Sequence, residues 1–341
     1  RTRMFLRTAE FLWQEGHTVH QTAEEAIAET KQMLGVYTDF VQDMMAVPVV
    51  PGEKTVTERF PGAVQTYSIE AMMQDRKALQ AGTSHFLGQN FARAQDIQYL
   101  SSEGKREHAW TTSWGVSTRL VGALIMTHSD DDGLVLPPRL APAHVVIVPI
   151  YGKNNDPGPI NEYCENLRQA LSEIRYDEAR LRVKLDDRDM RGGDKNWEHI
   201  KKGVPIRLEV GPRDMASDSV FMGRRDLGPR EKKGVGRQEF LATVTDILDD
   251  IQNTLYQRAL TRREESSAHI SSVDDFHSFF GKGGPGGFAW CYAADNAAYE
   301  KVLAPYKVTP RCIPVDDNDE LGNCIFTGEP GQKKIVFAKS Y

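Results

Sequence analysis

The first regular hydrophobic pattern begins at Thr22, where Thr-Ala-Glu-Glu has the spacing of a capping box. Beyond it, Ile27, Leu34 and Val41 recur at two-turn steps along one helix face. Pro48 lies just past this pattern and cannot continue a helix. We therefore predict a helix from about residue 22 to before residue 48, after an aromatic and aliphatic segment at residues 5–19 that is typical of a sheet and its loop.

A second pattern begins at His144. The apolar run at residues 145–150 predicts a buried strand, and it is followed by a predicted helix at 160–175 and predicted strands at 181–185 and 204–210. Strand, helix and strand at this spacing indicate a small α/β domain.

One helix face continues through Phe240, Val244, Ile247, Ile251 and Leu255, which predicts a long helix to about residue 265. The glycine-rich residues 281–287 lack the Lys-Ser/Thr of a phosphate-binding P-loop and predict a plain loop, and residues 334–338 predict a terminal strand. The expected domains are 1–142, 143–238, and 239–341 with its linking helix.

Composition adds one local bias to this picture. The 341 residues carry a net charge of −6, yet the segment from Arg182 to Arg237 holds 15 Lys and Arg against 10 Asp and Glu. A basic segment in an acidic chain suits nucleic-acid contact, and a solvated charged face is the alternative. The chain has no apolar run of membrane-spanning length, and its four scattered cysteines suit a reducing cytoplasm better than a disulfide framework.

Three segments concentrate residues suited to chemistry: 5–17 with Arg7, 79–85 with His85, and 112–119 with Trp114. The planar fork of an arginine suits a phosphate. By residue type alone, however, tryptophans more often belong to a core and histidines to structural contacts.

The wording and order of these segments resemble a known family. Phe-Leu-Arg-Thr-x-Glu-Phe-Leu-Trp-Gln-Glu-Gly-His, Gln-x-Gly-Thr-Ser-His-x-Leu-Gly-x-Asn-Phe, Ser-Trp-Gly, and Gly-Leu-Val-Leu-Pro-Pro-Arg-Leu-Ala-Pro follow one another as in prolyl-tRNA synthetases of the archaeal and eukaryotic type. The resemblance runs from residue 1 to the final Val-Phe-Ala-Lys-x-Tyr.

This resemblance implies an α+β fold: the antiparallel catalytic sheet of class II synthetases in part, an α/β anticodon-binding domain and a small C-terminal α/β domain. It implies that ATP and Mg²⁺ activate L-proline as prolyl-adenylate, whose prolyl group passes to tRNA(Pro), in a cytoplasmic homodimer. Positioning and charge stabilisation then carry the catalysis, without a protein nucleophile.

The family's site residues carry over by position. Arg7 and Arg119 are the expected catalytic residues. The ATP-binding set is Arg7, Thr8, Gln80, Thr83, Ser117 and Arg119, with Gln80 a candidate magnesium ligand. The proline-binding set is Trp13, Glu15, Phe60, His85 and Trp114. The anticodon-binding set is Arg207, Arg213 and Asp214, which lies in the basic segment; the alternative for Arg207 is an exposed strand face.

Two departures from the family pattern stand out. Motif 1, the Thr-x-Glu loop and the Arg-Trp-Glu of motif 2 are expected before Arg1, so we expect part of the catalytic domain to be missing. Of the family's Cys-x4-Cys and Cys-x2-Cys zinc pattern, Cys291 and Cys324 remain, but Asn296 and Thr327 occupy their partners' positions. We therefore expect no structural zinc.

Three functions follow as hypotheses. The first is a working proline–tRNA ligase. The second is a synthetase-like binding or regulatory protein without catalysis. The third is a zinc-dependent RNA-binding module, which would hold stoichiometric zinc.

Overall fold

The computed structural model describes residues 2–152, 156–316 and 320–341. Its strands are β1 (Trp13–His20), β2 (Val49–Glu53), β3 (Gln65–Met72), β4 (Ala78–Gly88), β5 (Gln98–Leu100), β6 (Arg106–His108), β7 (Trp110–Ser117), β8 (Val145–Pro149), β9 (Arg175–Tyr176), β10 (Ala179–Arg180), β11 (Val183–Leu185), β12 (Ile206–Val210), β13 (Ser219–Arg224), β14 (Lys232–Gly236), β15 (Ser267–His269), β16 (Phe288–Tyr292), β17 (Val308–Pro314) and β18 (Lys334–Lys339). Its α-helices are α1 (Ala23–Asp39), α2 (Asn90–Ala94), α3 (Arg119–His128), α4 (Pro157–Glu173), α5 (Gly192–Lys201), α6 (Pro212–Ala216), α7 (Arg237–Glu265), α8 (Val273–Phe280) and α9 (Glu300–Leu303).

The chain divides into two compact units. The first comprises residues 1–43, 47–127 and 259–341, and the second comprises residues 44–46 and 128–258. The three-domain division expected from the sequence stays a prediction.

The first unit is built on a nine-stranded sheet in the order β1-β7-β4-β3-β2-β17-β18-β16-β15. All neighbours pair antiparallel except β15 and β16. The predicted antiparallel catalytic sheet is therefore confirmed. The C-terminal strands β15 to β18 extend this sheet, because β17 pairs with β2 through Ile313 and Pro314.

The second unit is built on a five-stranded sheet in the order β11-β8-β12-β13-β14. The strand β8 pairs parallel with β11 and β12, as the predicted strand-helix-strand pattern requires. Its core joins Val145 and Ile147 to Leu167 of α4 and to Phe240 and Val244 of α7. The predicted α/β anticodon-binding fold is confirmed.

The predicted capping box is formed at the start of α1. The Thr22 hydroxyl accepts from the Glu25 N–H at 3.2 Å, and the Glu25 carboxylate accepts from the Thr22 N–H at 3.4 Å. The helix runs to Asp39 and continues as a π-helical turn at Phe40–Met44. The prediction of a helix ending before residue 48 is therefore confirmed.

The glycine-rich segment 281–287 is a loop, as predicted. Its last residue, Gly287, has φ +116°, and an added Cβ would lie 1.9 Å from the Ser266 carbonyl oxygen. This glycine therefore lets the backbone approach the start of β15 closely before β16 begins.

Candidate active site

An open cavity of about 530 Å³ lies against the first unit's sheet. The cavity is lined by nine of the residues assigned from the sequence to ATP or proline. They are Trp13, Glu15, Phe60, Gln80, Thr83, His85, Trp114, Ser117 and Arg119. Residues from four separate stretches of sequence thus meet on one surface.

The pleat of β1, β7 and β4 explains part of this convergence. Glu15 pairs with Gly115, which pairs with Thr83 on the next strand, so these positions share one face of the sheet. Gly115 carries no side chain between its two neighbours, which opens the floor of the cavity. The other face is covered by α1, where the Ser84 hydroxyl donates to the Thr30 carbonyl oxygen at 2.8 Å.

Trp114 borders the cavity but belongs to the helix-covered face. It pairs with Ser84 and Gly16, whose neighbours in sequence face the cavity. An added Cβ on Gly16 would lie 2.3 Å from the indole, so the ring packs directly over this glycine. The indole of Trp114 therefore packs on the sheet behind the cavity.

A β-bulge brings Gln80 onto the same face as Thr83. The register between β3 and β4 shifts so that Ile69 pairs with Gly82 but Glu70 pairs with Gln80. In a regular strand, residues three apart point to opposite faces, and the extra residue reverses this alternation. Gln80 and Thr83 can therefore both face the cavity, although they are three residues apart, because Ala81 is the extra residue of the bulge.

Phe60 and His85 form an aromatic corner of the cavity, and Trp13 lines the same cavity from β1. The rings of Phe60 and His85 have centroids 4.9 Å apart, and Trp13 packs edge-on against Phe11. Burial, assisted by the nearby His17, lowers the pKa of His85 to about 4. A neutral imidazole at physiological pH suits an apolar ring beside it and still offers a hydrogen bond.

A cationic corner lies at the other end of the cavity. Arg119 is the first residue of α3, where the helix dipole favours an anion. Burial, then the charge of Arg7, lowers the pKa of the Arg119 guanidinium, and Glu70 opposes this effect. Gln80 and Arg119 also line an adjoining cavity of about 290 Å³ that holds Arg7 and Glu58.

Arg7 and Thr8 come from the stretch before β1. The Arg7 Nη2 donates to the Tyr341 carbonyl oxygen at 2.8 Å. Thr8 is exposed and lines neither of the two cavities. Arg7 thus joins the cationic corner, and Thr8 lies outside it.

A buried ion cluster beside the cavity was not predicted. Glu70 is fully buried, and its carboxylate accepts from Lys54 Nζ at 2.8 Å and from Arg311 Nη2 at 2.8 Å. Burial raises the pKa of Glu70, but Arg311 and Lys54 together outweigh it, so the net pKa is lowered. Lys54 lines the larger cavity and Arg311 the smaller one. The cluster therefore connects the walls of the two cavities.

The three residues assigned to the anticodon differ in exposure. Arg207 is 2% exposed and donates from Nε to the Asn196 amide oxygen at 2.9 Å, so the exposed strand face expected as its alternative is wrong. Burial, then the charge of Arg225, lowers the pKa of Arg207 to about 10. Asp214 accepts from the Gly211 N–H at the start of α6, and its neighbour Arg213 is exposed.

The cysteines of the family zinc pattern lie in the core of the first unit. Cys291 and Cys324 are both buried, and burial, together with Cys324, raises the pKa of the Cys291 thiol. Asn296 instead accepts from the Ala298 N–H, and Thr327 from the Glu329 N–H. Over the described ranges, no group of three His, Cys, Asp or Glu side chains is arranged to hold a metal ion.

Across residues 2–152, 156–316 and 320–341, none of the helices is both long and apolar enough to cross a membrane.

Comparison with protein families matches both halves of the chain. The tRNA synthetase class II core domain (G, H, P, S and T) matches residues 1–128, and the anticodon binding domain matches residues 144–247. The first segment contains β1 to β7 and the residues that line the 530 Å³ cavity, and the second contains the strands of the α/β unit.

Curated relatives align over the whole chain. A proline–tRNA ligase of Bdellovibrio bacteriovorus is 58% identical and is covered over 69% of its length. A proline–tRNA ligase of Rhodopirellula baltica is 56% identical and is covered over 68%.

Solved structures of prolyl-tRNA synthetases are also similar to this chain. Prolyl-tRNA synthetase from Cryptosporidium parvum complexed with L-proline and AMP has a TM-score of 0.90 and 34% identity, covering 99% of this chain and 70% of that one. The same enzyme complexed with halofuginone and AMPPNP has a TM-score of 0.92 and 34% identity, with 99% and 69% covered.

Proposed function

The chain belongs to the prolyl-tRNA synthetase family of class II, and we propose that its 530 Å³ cavity activates L-proline with ATP. The enzyme is a proline–tRNA ligase: ATP-dependent ligation joins L-proline to its tRNA. One observation carries the proposal for the site. A neutral aromatic corner and a cationic corner lie at opposite ends of a single cavity, as a small imino acid beside a nucleotide requires.

The aromatic corner receives the proline ring in this proposal. Trp13, Phe60 and His85 supply flat apolar walls, and the Glu15 carboxylate holds the secondary ammonium of proline. Such a pocket excludes larger rings sterically but discriminates weakly against alanine, because each missing methylene contributes only about 1–3 kcal/mol. Trp114 supports the pocket from behind the sheet.

The cationic corner receives the nucleotide. Arg119, Arg7 and the N-terminus of α3 neutralise the phosphates, while Thr83 and Ser117 line the floor between the two corners. The proline carboxylate attacks the α-phosphorus and pyrophosphate leaves. A ribose hydroxyl of the tRNA then attacks the prolyl carbonyl, and AMP leaves as the mixed-anhydride bond breaks. Preorganised cations stabilise the charge that develops at phosphorus. Thr8 completes the ATP-binding set from the exposed stretch before β1.

Magnesium is part of the proposal. Mg²⁺ binds through one or two carboxylates together with substrate phosphates. Gln80 and Glu58 both line the larger and the smaller cavity, and together they offer an amide oxygen and a carboxylate beside the phosphates. The ion would supply charge neutralisation there.

The second unit binds the tRNA in this proposal. Arg suits the acceptor edge of guanine and Asp its donor edge, which favours Arg207, Arg213 and Asp214 at the anticodon. The exposed Arg213 is accessible to an anticodon base, whereas the buried Arg207 becomes accessible only if the residues that cover it move. We also propose a cytoplasmic homodimer of the archaeal and eukaryotic type, the branch whose motif wording residues 5–17 and 80–91 resemble.

The test is proline-dependent exchange of pyrophosphate into ATP by the intact protein. Arg119→Ala removes one preorganised cation, and we expect kcat/KM for exchange to fall about 10²–10³-fold. The surface Arg168→Ala is the matched control, since Arg168 pairs only locally with Glu165 on α4. Wild-type protein that shows no exchange would overturn the proposal.

A further inference from the structure

A second cavity of about 280 Å³ adjoins the aromatic corner. Glu15, Phe60 and Ser113 line both cavities, so the two spaces share a wall. The remaining walls of the smaller space are largely apolar and include Leu87 and Phe91. Neither ATP nor proline is assigned to this space.

Phe60 is the partition between the two spaces. Its ring lies between His85, at a centroid distance of 4.9 Å, and Phe91, at 6.4 Å in a stacked arrangement. His85 lines only the larger of these two cavities and Phe91 only the smaller. Of the three residues that line both cavities, Phe60 is therefore the one whose ring stands between the aromatic corner and the apolar space beyond it.

The loop that carries Phe60 is fixed from both sides. The Phe60 N–H donates to the Thr66 hydroxyl at 3.1 Å, and that hydroxyl lies 3.0 Å from Nδ1 of His85. From the other side, the Asn90 side chain donates to the Gly62 carbonyl oxygen at 2.9 Å. Hydrogen bonds to the main chain at Phe60 and Gly62 thus fix the loop. The Phe60 side chain itself closes the passage between the two cavities.

We propose that Phe60 determines imino-acid specificity by closing off this second, apolar subsite, which accepts a ring substituent of a substituted proline once the Phe60 ring is removed. The proposal rests on the proposed location of proline at the aromatic corner. Size supports it, because a cavity of about 150 Å³ lined by Leu, Ile and Phe already binds benzene. A phenyl group on the proline ring therefore fits the space.

The experiment compares L-proline with 4-phenyl-L-proline, as cis and trans isomers, in ATP–pyrophosphate exchange by the intact enzyme. For Phe60→Ala we expect the ratio of kcat/KM for one isomer of the analogue over proline to rise at least about tenfold, the effect of a single methylene mismatch or more. Phe221→Ala, an exposed truncation in the second unit, should leave the ratio unchanged. Phe91→Ala enlarges only the far side and should raise the ratio only in combination with Phe60→Ala.

Each outcome bears on a separate claim. Proline exchange by Phe60→Ala with an unchanged ratio would overturn the inference and leave the proposed function intact. Wild-type protein without proline exchange would instead overturn the proposed function. Phe60→Leu replaces the alanine variant if the latter does not fold, and a crystal structure with the analogue must place the phenyl group between Leu87 and Phe91.

Discussion

Glu70 is the residue whose removal should destabilise the first unit most. Glu70→Ala leaves Lys54 and Arg311 buried without a counter-charge, at 3% and 8% side-chain exposure. We expect the free energy of unfolding to fall by about 3–5 kcal/mol, as when one partner of a buried ion pair is removed. Urea unfolding measures this change.

The control for Glu70 is the exposed pair of Glu103 and Lys105, each 71% exposed. Glu103→Ala should change the unfolding free energy by less than about 1 kcal/mol, because exposed pairs contribute little. Similar losses for the two variants would show that the buried cluster has no special role in stability.

Two histidines, the buried His144 and the half-buried His85, should make stability fall in mild acid. Burial is the main cause that lowers the pKa of His85 and of His144 to about 4. Below the ordinary histidine pKa of about 6.5, these two side chains become protonated in the unfolded chain but stay neutral in the folded chain. Stability should therefore fall between pH 6.5 and pH 4, by at most about 1 kcal/mol per pH unit for each histidine.

Unfolding in urea at several pH values checks this expectation. His144→Gln should reduce the slope of unfolding free energy against pH relative to the wild-type protein. An equal slope in wild type and His144→Gln would contradict the assignment for His144.

At the scale of single residues, the sequence predicted side chains that line the cavity but not the buried ion cluster beside it. Trp13, His85 and Arg119 lie in sequence motifs that resemble the family. Lys54 and Arg311 are 257 residues apart, and no local pattern connects them. Their common partner Glu70 lies in β3, a strand of mixed polar and apolar residues in which nothing local marks its carboxylate as buried. Only the pairing of β17 with β2 brings the cluster together.

At the scale of elements, local signals predicted helix α1 best, because a capping box acts within four residues. Thr22→Ala removes the hydroxyl that accepts from the Glu25 N–H. We expect a loss of about 1 kcal/mol in unfolding free energy. Thr22→Ser keeps the hydroxyl and is the control, so equal losses for both variants would mean that capping is not the cause.

The bulge in β4 could not be predicted from the alternation of residues along the strand. Strict alternation would place Gln80 and Thr83 on opposite faces, and only the register shift opposite Ile69 and Glu70 reconciles them. A bulge depends on the partner strand as well as on its own sequence. The family resemblance assigned both residues to the phosphates, but no pattern in the sequence itself explains how they come to share a face.

The sheet of the first unit is assembled from distant parts of the chain, which limits prediction at the scale of the whole molecule. Val50, Met72 and Ala78 share one buried cluster with Val336 and Ala338. The C-terminal segment looks separate along the sequence because about 130 residues of the second unit intervene. Its strands nevertheless cover the edge at β2.

This assembly predicts different behaviour for fragments of the two units. Residues 128–258 contain almost all of a complete core cluster, from Val145 to Leu255, and should unfold cooperatively when expressed alone. Residues 2–127 lack the partner of β2, so they should expose an unpaired strand edge and aggregate. Calorimetry and gel filtration distinguish these outcomes. A monomeric, cooperatively folding 2–127 fragment would show that β1, β7, β4, β3 and β2 form a stable sheet without β15 to β18.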